Sequence, residues 1–244
     1  MKPLLTVIKN ELSAGKILTT VIINAQLALL TSGIILRGYQ MTADLSVVKF
    51  MYPGLIIFIS ILYAILISFQ QHDKLLNNHT ERLNYRTAGI SVSMLYWGQK
   101  ISTIILAILS LFSVTLIFYL FSNLSFNVIY CLYFFLFVMV SLIMVIAIVA
   151  LLKLFFRKNK YIEYHIYFIL FMLLFCSGFM FQTGIFPESL YLVLDYTPFG
   201  IVFNGARKLL LNNEFSLIET LYVSLVTITL VPLNYYLYKR ELGK

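Results

Sequence analysis

Six runs of apolar residues, each near the length that a helix needs to cross a bilayer, dominate this chain. They cover about residues 17–36, 50–69, 101–120, 128–152, 164–180 and 220–238. A hydrocarbon core takes roughly 20 residues of helix to span. No water is available inside it, so each segment must satisfy its own backbone N–H and C=O groups. The runs are rich in Leu, Ile and Phe and lack the two-residue alternation of barrel strands, so they predict helices. Composition closes off the alternatives: 61% of the 244 residues are hydrophobic and 11% are charged, against roughly 25% charged in a soluble domain. Ordinary soluble, disordered and fibrous chains are excluded. Two cysteines exclude a disulfide scaffold. The expected fold is an all-α integral membrane protein with six transmembrane helices, forming one domain over residues 1–244. The first run is too long for a signal-peptide core and no A-x-A site follows it, so it is expected to stay as a membrane helix.

Charge sets the orientation. The formal net charge is +8. With the N-terminus and the C-terminus both cytoplasmic, fourteen of the eighteen Lys and Arg lie inside, and only Arg37, Lys49, Arg207 and Lys208 lie outside. The basic charge is therefore a topology signal. It forms no solvated patch for nucleic acid, and no nucleic-acid partner is expected.

The segments between runs carry further pattern. Over residues 1–16, Leu4, Leu5, Ile8 and Leu12 share a helical face flanked by Lys2, Lys9 and Lys16. This suits an interfacial N-terminal helix whose lysines reach lipid phosphates, although Glu11 interrupts the stripe. A plain basic flank is the alternative. The cytoplasmic loop over 70–100 spaces Leu75, Leu76, Leu83 and Tyr85 among charges, which predicts a short surface helix ended by Gly89. Ser91 or Ser93 then caps the next helix, and Trp97 reads as an interface anchor. Residues 153–163 read as a positive-inside anchor. Residues 181–212 lie outside by topology yet are largely apolar. Pro187 suits the first turn of a short helix, with Leu190, Val193 and Leu194 on one face. Asp195-Tyr196-Thr197-Pro198 turns, and a second helix runs from Phe199 to about Leu211. Two apolar helices too short to span predict a re-entrant helical hairpin before the last span, tolerated at membrane depth only under a cover of protein. An ordinary amphipathic outer loop is the alternative.

These two segments resemble the ABC-2 type of ATP-driven export permease. That family closes with Leu-Pro, an apolar helix, Asn-Pro, a short helix and then Arg; here Phe186-Pro187, Thr197-Pro198 and Arg207 stand in those places, with the family's spacing. Its coupling loop carries Thr-x-Glu-Arg-Leu before a Gly-Lys pair at the third span; here Thr80-Glu81-Arg82-Leu83 and Gly98-Gln99-Lys100 are similar. The chain departs in having Thr80 and Glu81 adjacent, Gln99 between Gly98 and Lys100, and no Pro in the loop. The resemblance implies a permease that pairs with a second permease, identical or not. It also implies that each permease binds a cytoplasmic ABC ATPase. Leu76, Glu81, Arg82, Leu83, Tyr85 and Arg86 would couple to that ATPase, and Pro187, Asp195, Pro198 and Arg207 would shape an extracellular gate hairpin.

The chain is not expected to be an enzyme by itself. The P-loop pattern G-x-x-x-x-G-K-[ST] is absent, so ATP and Mg²⁺ belong to a separate ATPase chain and no cofactor is expected on this one. No metal motif or paired intramembrane carboxylates occur, and Cys131 and Cys176 read as core thiols. Asn24 and Gln26 are the clearest polar groups within a run and are the pathway candidates. No Asp, Glu, Lys or Arg falls deep in any predicted span, which favours an external energy source. The 17 Tyr and 21 Phe suit amphipathic or hydrophobic cargo. Abundant Asn, Lys, Ile and Tyr fit an AT-rich bacterial genome, hence a bacterial plasma membrane. Within the family the chain looks most like permeases for toxin or antimicrobial peptides such as phenol-soluble modulins; drugs and lipids stay open. The rival class is a non-transport membrane sensor or immunity protein.

Overall fold

Apolar runs become helices, and several of the helices outrun the apolar runs. The structure, a computed structural model, describes residues 2–30, 45–77, 79–121, 127–156, 160–177 and 187–242. In chain order the helices are α1 Lys2–Glu11, α2 Ala14–Leu30, α3 Leu45–Asn77, α4 His79–Thr87 and α5 Val92–Phe121. They continue as α6 Val128–Phe156, α7 Lys160–Cys176, α8 Glu188–Asp195, α9 Pro198–Arg207 and α10 Leu217–Leu242. The described residues contain no strand. Stretches of α3, α5, α6 and α10 are long and apolar enough to cross a membrane, and α1 with α2, bent by 43° at their junction, adds a fifth as a broken span. The chain is therefore a multi-pass, all-helical membrane protein, and among the described residues four or five of the six predicted spans are membrane-length helices. The first predicted run is described only to Leu30 and the fifth only to Ser177; residues 31–36 and 178–180 lie outside the described residues. The apolar stretch of α7, Tyr167–Cys176, is by itself too short to span.

α6 is the centre of the bundle. α3 and α10 pack along it, α5 packs on α3, and α1 and α2 pack on α5. Val138, Met144 and Val145 of α6 are fully buried with Ile57 and Ile61 of α3 and Val114 and Phe118 of α5. Tyr52 meets Phe118 edge-on at 5.3 Å between ring centroids. The outer faces are apolar as well: Leu217, Ile218, Leu221, Leu225 and Ile228 of α10 are all exposed. In water such a surface would drive association; in a bilayer the acyl chains cover it.

α1 packs on α5. Val7 and Glu11 are buried and Leu4, Ile8 and Leu12 of the predicted stripe half-buried, while Leu5 is exposed. The reason is Gly98 on α5. A side chain there would meet Val7 Cγ1 at 2.6 Å, so the missing Cβ admits Val7 and fixes which face of α1 turns inward. Glu11 is tolerated because Lys16 Nζ sits 2.6 Å from its carboxylate.

The predicted loop over 70–100 is mostly helix. α3 continues to Asn77 and α5 begins at Val92, leaving α4 between them. Gly89 ends α4 as expected, at φ 72, where the Ile90 N–H reaches back to Tyr85 O at 2.9 Å. Ser91 caps α5 by accepting from Met94 N at 3.2 Å.

The segment before α10 is also helical, but its two helices differ. In α8, Leu190, Leu192 and Val193 are exposed and Leu194 is buried. α9 is buried against α3, α6 and α10, and a π-helical turn, Lys208–Asn212, extends it to the left-handed Asn213. Thr197 caps α9 by accepting from Gly200 N at 3.1 Å, with Pro198 in the first turn. Gly200 is required: a Cβ would meet Leu194 O at 2.1 Å. Replacing Gly200 with Ala is expected to destabilise the fold by about 2 kcal/mol or more, since backbone is the obstacle. Gly15→Ala, with nothing within 4 Å of the new methyl, should be neutral or stabilising by up to about 1 kcal/mol. Thermal unfolding in detergent would compare them, and equal midpoints would refute the tight corner.

Candidate functional site

Where α3 ends and α5 begins, the bundle buries a cluster of polar side chains. Ser68, Gln71 and His72 come from α3, Gln99, Lys100 and Thr103 from α5, Lys153 from α6, and Asn234 and Tyr238 from α10; all are buried. Each helix continues past the apolar run that announced it, so residues expected in loops face the interior. His72, Lys100 and Lys153 are the main instances: all three were expected in cytoplasmic segments, and all three are buried between helices. They lie toward the ends of the apolar stretches rather than at their centres.

The cluster is organised on the carbonyls of α6. Ser68 Oγ donates to Ile146 O at 3.4 Å, and Lys100 Nζ approaches the same oxygen at 3.5 Å. Asn234 Nδ2 donates to Ala147 O at 2.8 Å, and Tyr238 OH to Ala150 O at 3.4 Å. Three helices thus bond to one turn of a fourth. These carbonyls already accept within their own helix; the second lone pair of each takes the side-chain donor. Thr103 Oγ1 donates to Gln71 Oε1, joining α5 to α3. The His72 ring bonds to Ser68 of its own helix and lies 5.3 Å from the Tyr238 ring.

The two lysines are held differently. Lys153 Nζ is 2.7 Å from Asp73 Oδ1 and 4.1 Å from the centre of the Phe69 ring. Its side chain is fully buried, while Asp73 is about half exposed. Lys100 has the Ile146 carbonyl and, at 5.7 Å, the face of Tyr96; no carboxylate of the described residues lies within ion-pair distance. Tyr96 belongs to an aromatic group with Trp97, Tyr235 and Tyr238. Trp97 is half-buried and stacks on Tyr235 of α10 at 5.7 Å between ring centroids.

The residues singled out from sequence separate into four groups. Leu76 is buried, packed with Val7, Ile90, Leu95 and Tyr96, so its side chain is a core group. Leu83 is 47% exposed and Tyr85 half-buried. The side chains of Glu81, Arg82 and Arg86 lie outside the described residues. In the hairpin, Asn204 Nδ2 donates to Asp195 Oδ1 at 3.3 Å, beside Pro198 at the start of α9. Arg207 is buried at the end of α9; burial, partly offset by Asp195, pushes its guanidinium down to about 10, so it stays cationic at neutral pH. Pro187 is exposed just ahead of α8, and Phe186 lies outside the described residues. Asn24 is fully buried, donating to Thr20 O at 2.8 Å, whereas Gln26 is exposed. These two do not share a face of α2. Cys131 and Cys176 are half-buried free thiols.

Sequence reading missed Asn234, Lys100 and His72. A signal existed. Ser68 and His72 are four residues apart, as are Gln99 and Thr103, so each pair carries the helical period past the apolar run. No protein-family model, curated protein or solved structure matches the chain.

The arrangement gives a stability prediction. Asp73→Asn removes the carboxylate facing Lys153 and is expected to destabilise by about 1–3 kcal/mol, less than a fully buried pair because Asp73 is half exposed. Adding Lys153→Met should recover most of that loss. Chemical or thermal unfolding in detergent reads both; no recovery in the double variant would show that the pair does not govern the effect.

Proposed function

We propose that the chain is the permease subunit of an ATP-driven exporter of the ABC-2 type, set in a bacterial plasma membrane with both termini cytoplasmic. The observation that carries this reading is α4. It is a nine-residue polar helix between two bundle helices, and it exposes Leu83 while its neighbours Leu76 and Ile90 are buried. An exposed leucine on a short, otherwise polar helix is the form of an anchor for a partner's cleft. In this reading α4 docks on a separate ATPase that holds ATP and Mg²⁺. Closure of that ATPase passes through α3 and α5, which share the buried polar cluster.

The remaining geometry fits the same mechanism. At the opposite end of the bundle, α9 is packed under α8 like a gate, with Asp195 at the end of α8 and Arg207 at the end of α9. A groove of about 350 Å³ lies there between α3, α5 and α6, lined by Tyr52, Phe112, Tyr119, Phe134 and Phe135. Its aromatic walls suit amphipathic or hydrophobic cargo, with toxin or antimicrobial peptides favoured over drugs or lipids. A second permease, identical or different, would complete the pathway. A membrane sensor or immunity protein is the competing class, and it needs no ATPase.

Copurification separates these classes. A P-loop ATPase should be retained at equal stoichiometry. Leu83→Ala should lower that retention about tenfold or more without changing the thermal midpoint. Leu76→Ala should do the reverse, costing about 2–4 kcal/mol of stability through a core cavity. If residues 79–87 could be replaced by a Gly/Ser linker with ATPase retention and export intact, the coupling role would be wrong. Orientation has its own measurement. After both native cysteines are changed to Ser, a cysteine at Asn213 should react with an impermeant thiol reagent in intact cells, and one at Thr87 should not.

A further inference from the structure

A second cavity, of about 260 Å³, lies between the α1–α2 elbow and α3. Glu11, Lys16, Gln70 and Gln71 line one end, Thr19, Thr20, Leu66 and Ile67 follow one helical turn further along α2 and α3, and Ile23 and Tyr63 lie a turn beyond them. The hydroxyls of Thr20 and Tyr63 bond to each other and hold α2 against α3. Ile23 and Leu66 are about half exposed, so beyond its polar end the cavity opens on the outer surface that acyl chains cover.

The polar end is built but unfilled in its bonding. Glu11 is 3% exposed, and only its Oε2 is engaged, by Lys16 Nζ at 2.6 Å. Its other oxygen accepts no hydrogen bond from the described residues, and the residue lines the cavity. Gln71 is 5% exposed; its Oε1 takes the Thr103 hydroxyl, which leaves the Nε2 amide to donate elsewhere. Gln70 is exposed beside it and lines the same cavity. Lys16 is 39% exposed at its side chain, so its ammonium can serve Glu11 and a second anion together. One end of the cavity therefore offers an acceptor for a cation next to three donors for an anion.

We infer that this cavity binds a single phospholipid whose headgroup carries a primary ammonium beside its phosphate. The ammonium donates to the open oxygen of Glu11, and the phosphate accepts from Lys16 and the Gln70 and Gln71 amides. The first carbons of the acyl chain lie along Ile23 and Leu66. A primary ammonium is specified because a buried carboxylate oxygen with no partner among the described residues calls for an N–H donor, which a quaternary choline lacks. A lipid rather than a peptide is specified because the cavity is short and its apolar flank at Ile23 and Leu66 is open to the bilayer. The site involves neither α4 nor the α8–α9 hairpin, so it stands or falls separately from the transport reading.

The test uses the full chain purified in detergent. Retention of added phosphatidylethanolamine, phosphatidylcholine and phosphatidylglycerol is measured by native mass spectrometry and by the shift of the thermal midpoint. Phosphatidylethanolamine should be retained about tenfold more than either of the others, the difference expected for one charge-assisted hydrogen bond. Glu11→Gln should abolish that preference while leaving phosphate-dependent retention. Gln70→Ala, which removes no hydrogen bond to the described residues, should weaken retention of all three with an unchanged midpoint for the lipid-free chain. Soluble glycerophosphoethanolamine, the same headgroup without acyl chains, should give no shift. Equal retention of the choline and ethanolamine lipids would overturn the ammonium assignment. Displacement of lipid by a cationic amphipathic peptide, with Gln70→Ala without effect on any lipid, would overturn the site as a lipid site altogether.

Discussion

One turn of α6 anchors the molecule. The carbonyls of Ile146, Ala147 and Ala150 take side-chain donors from α3, α5 and α10, so three neighbours share one hydrogen-bonding strip. Apolar burial gives little reason for helices to prefer one another over lipid, and packing alone sets no register. Directional bonds to a fixed strip do set it. Lys153 adds a fifth contact at the same level by reaching Asp73 across to α3. The interior there is polar because polarity is what specifies how these helices face each other.

Much of the helical content was legible in the sequence, and the reasons are local. Gly89 ended a helix at a left-handed φ, Ser91 capped the next, and Thr197-Pro198 opened α9; each is a short-range device that a few residues encode. Membrane character was legible too, since it depends on composition within a run. The lengths of the helices were not. Hydropathy marks where the apolar residues stop, whereas a helix stops where its backbone bonds do, so α3 and α5 extended into what read as a loop. The buried cluster was invisible for a related reason. His72, Lys100 and Lys153 each sit in a polar flank that looks solvated in isolation, and only the packing of four helices turns those flanks toward one another.

The face of α1 shows the same limit at a single position. The predicted stripe is Leu4, Leu5, Ile8 and Leu12, yet Leu5 is exposed, its other members are half-buried, and the residues fully inside are Val7 and Glu11. The deciding residue is Gly98, ninety-one positions away, whose missing side chain accepts Val7. No pattern within residues 1–16 encodes that choice. In the same way, α8 and α9 look alike as short apolar segments, but only α9 carries Gly205, where a Cβ would press on Phe137 at 2.6 Å. Close approach to α6 is open to α9 and closed to α8.

The unequal ends of the bundle have a mechanical consequence. Around Ile146, α3, α5 and α6 are joined by hydrogen bonds and an ion pair, which resist sliding because their geometry is directional. Toward Tyr52, Phe118 and Phe134 they meet through rings and aliphatic groups, whose dispersion contacts can be exchanged for equivalent ones at small cost. Such an assembly behaves as a set of levers clamped at one end. Splaying the far ends by a few ångströms stretches no named polar bond, while the clamped ends keep their register, so the fulcrum of any opening motion lies at the level of Lys100 and Lys153.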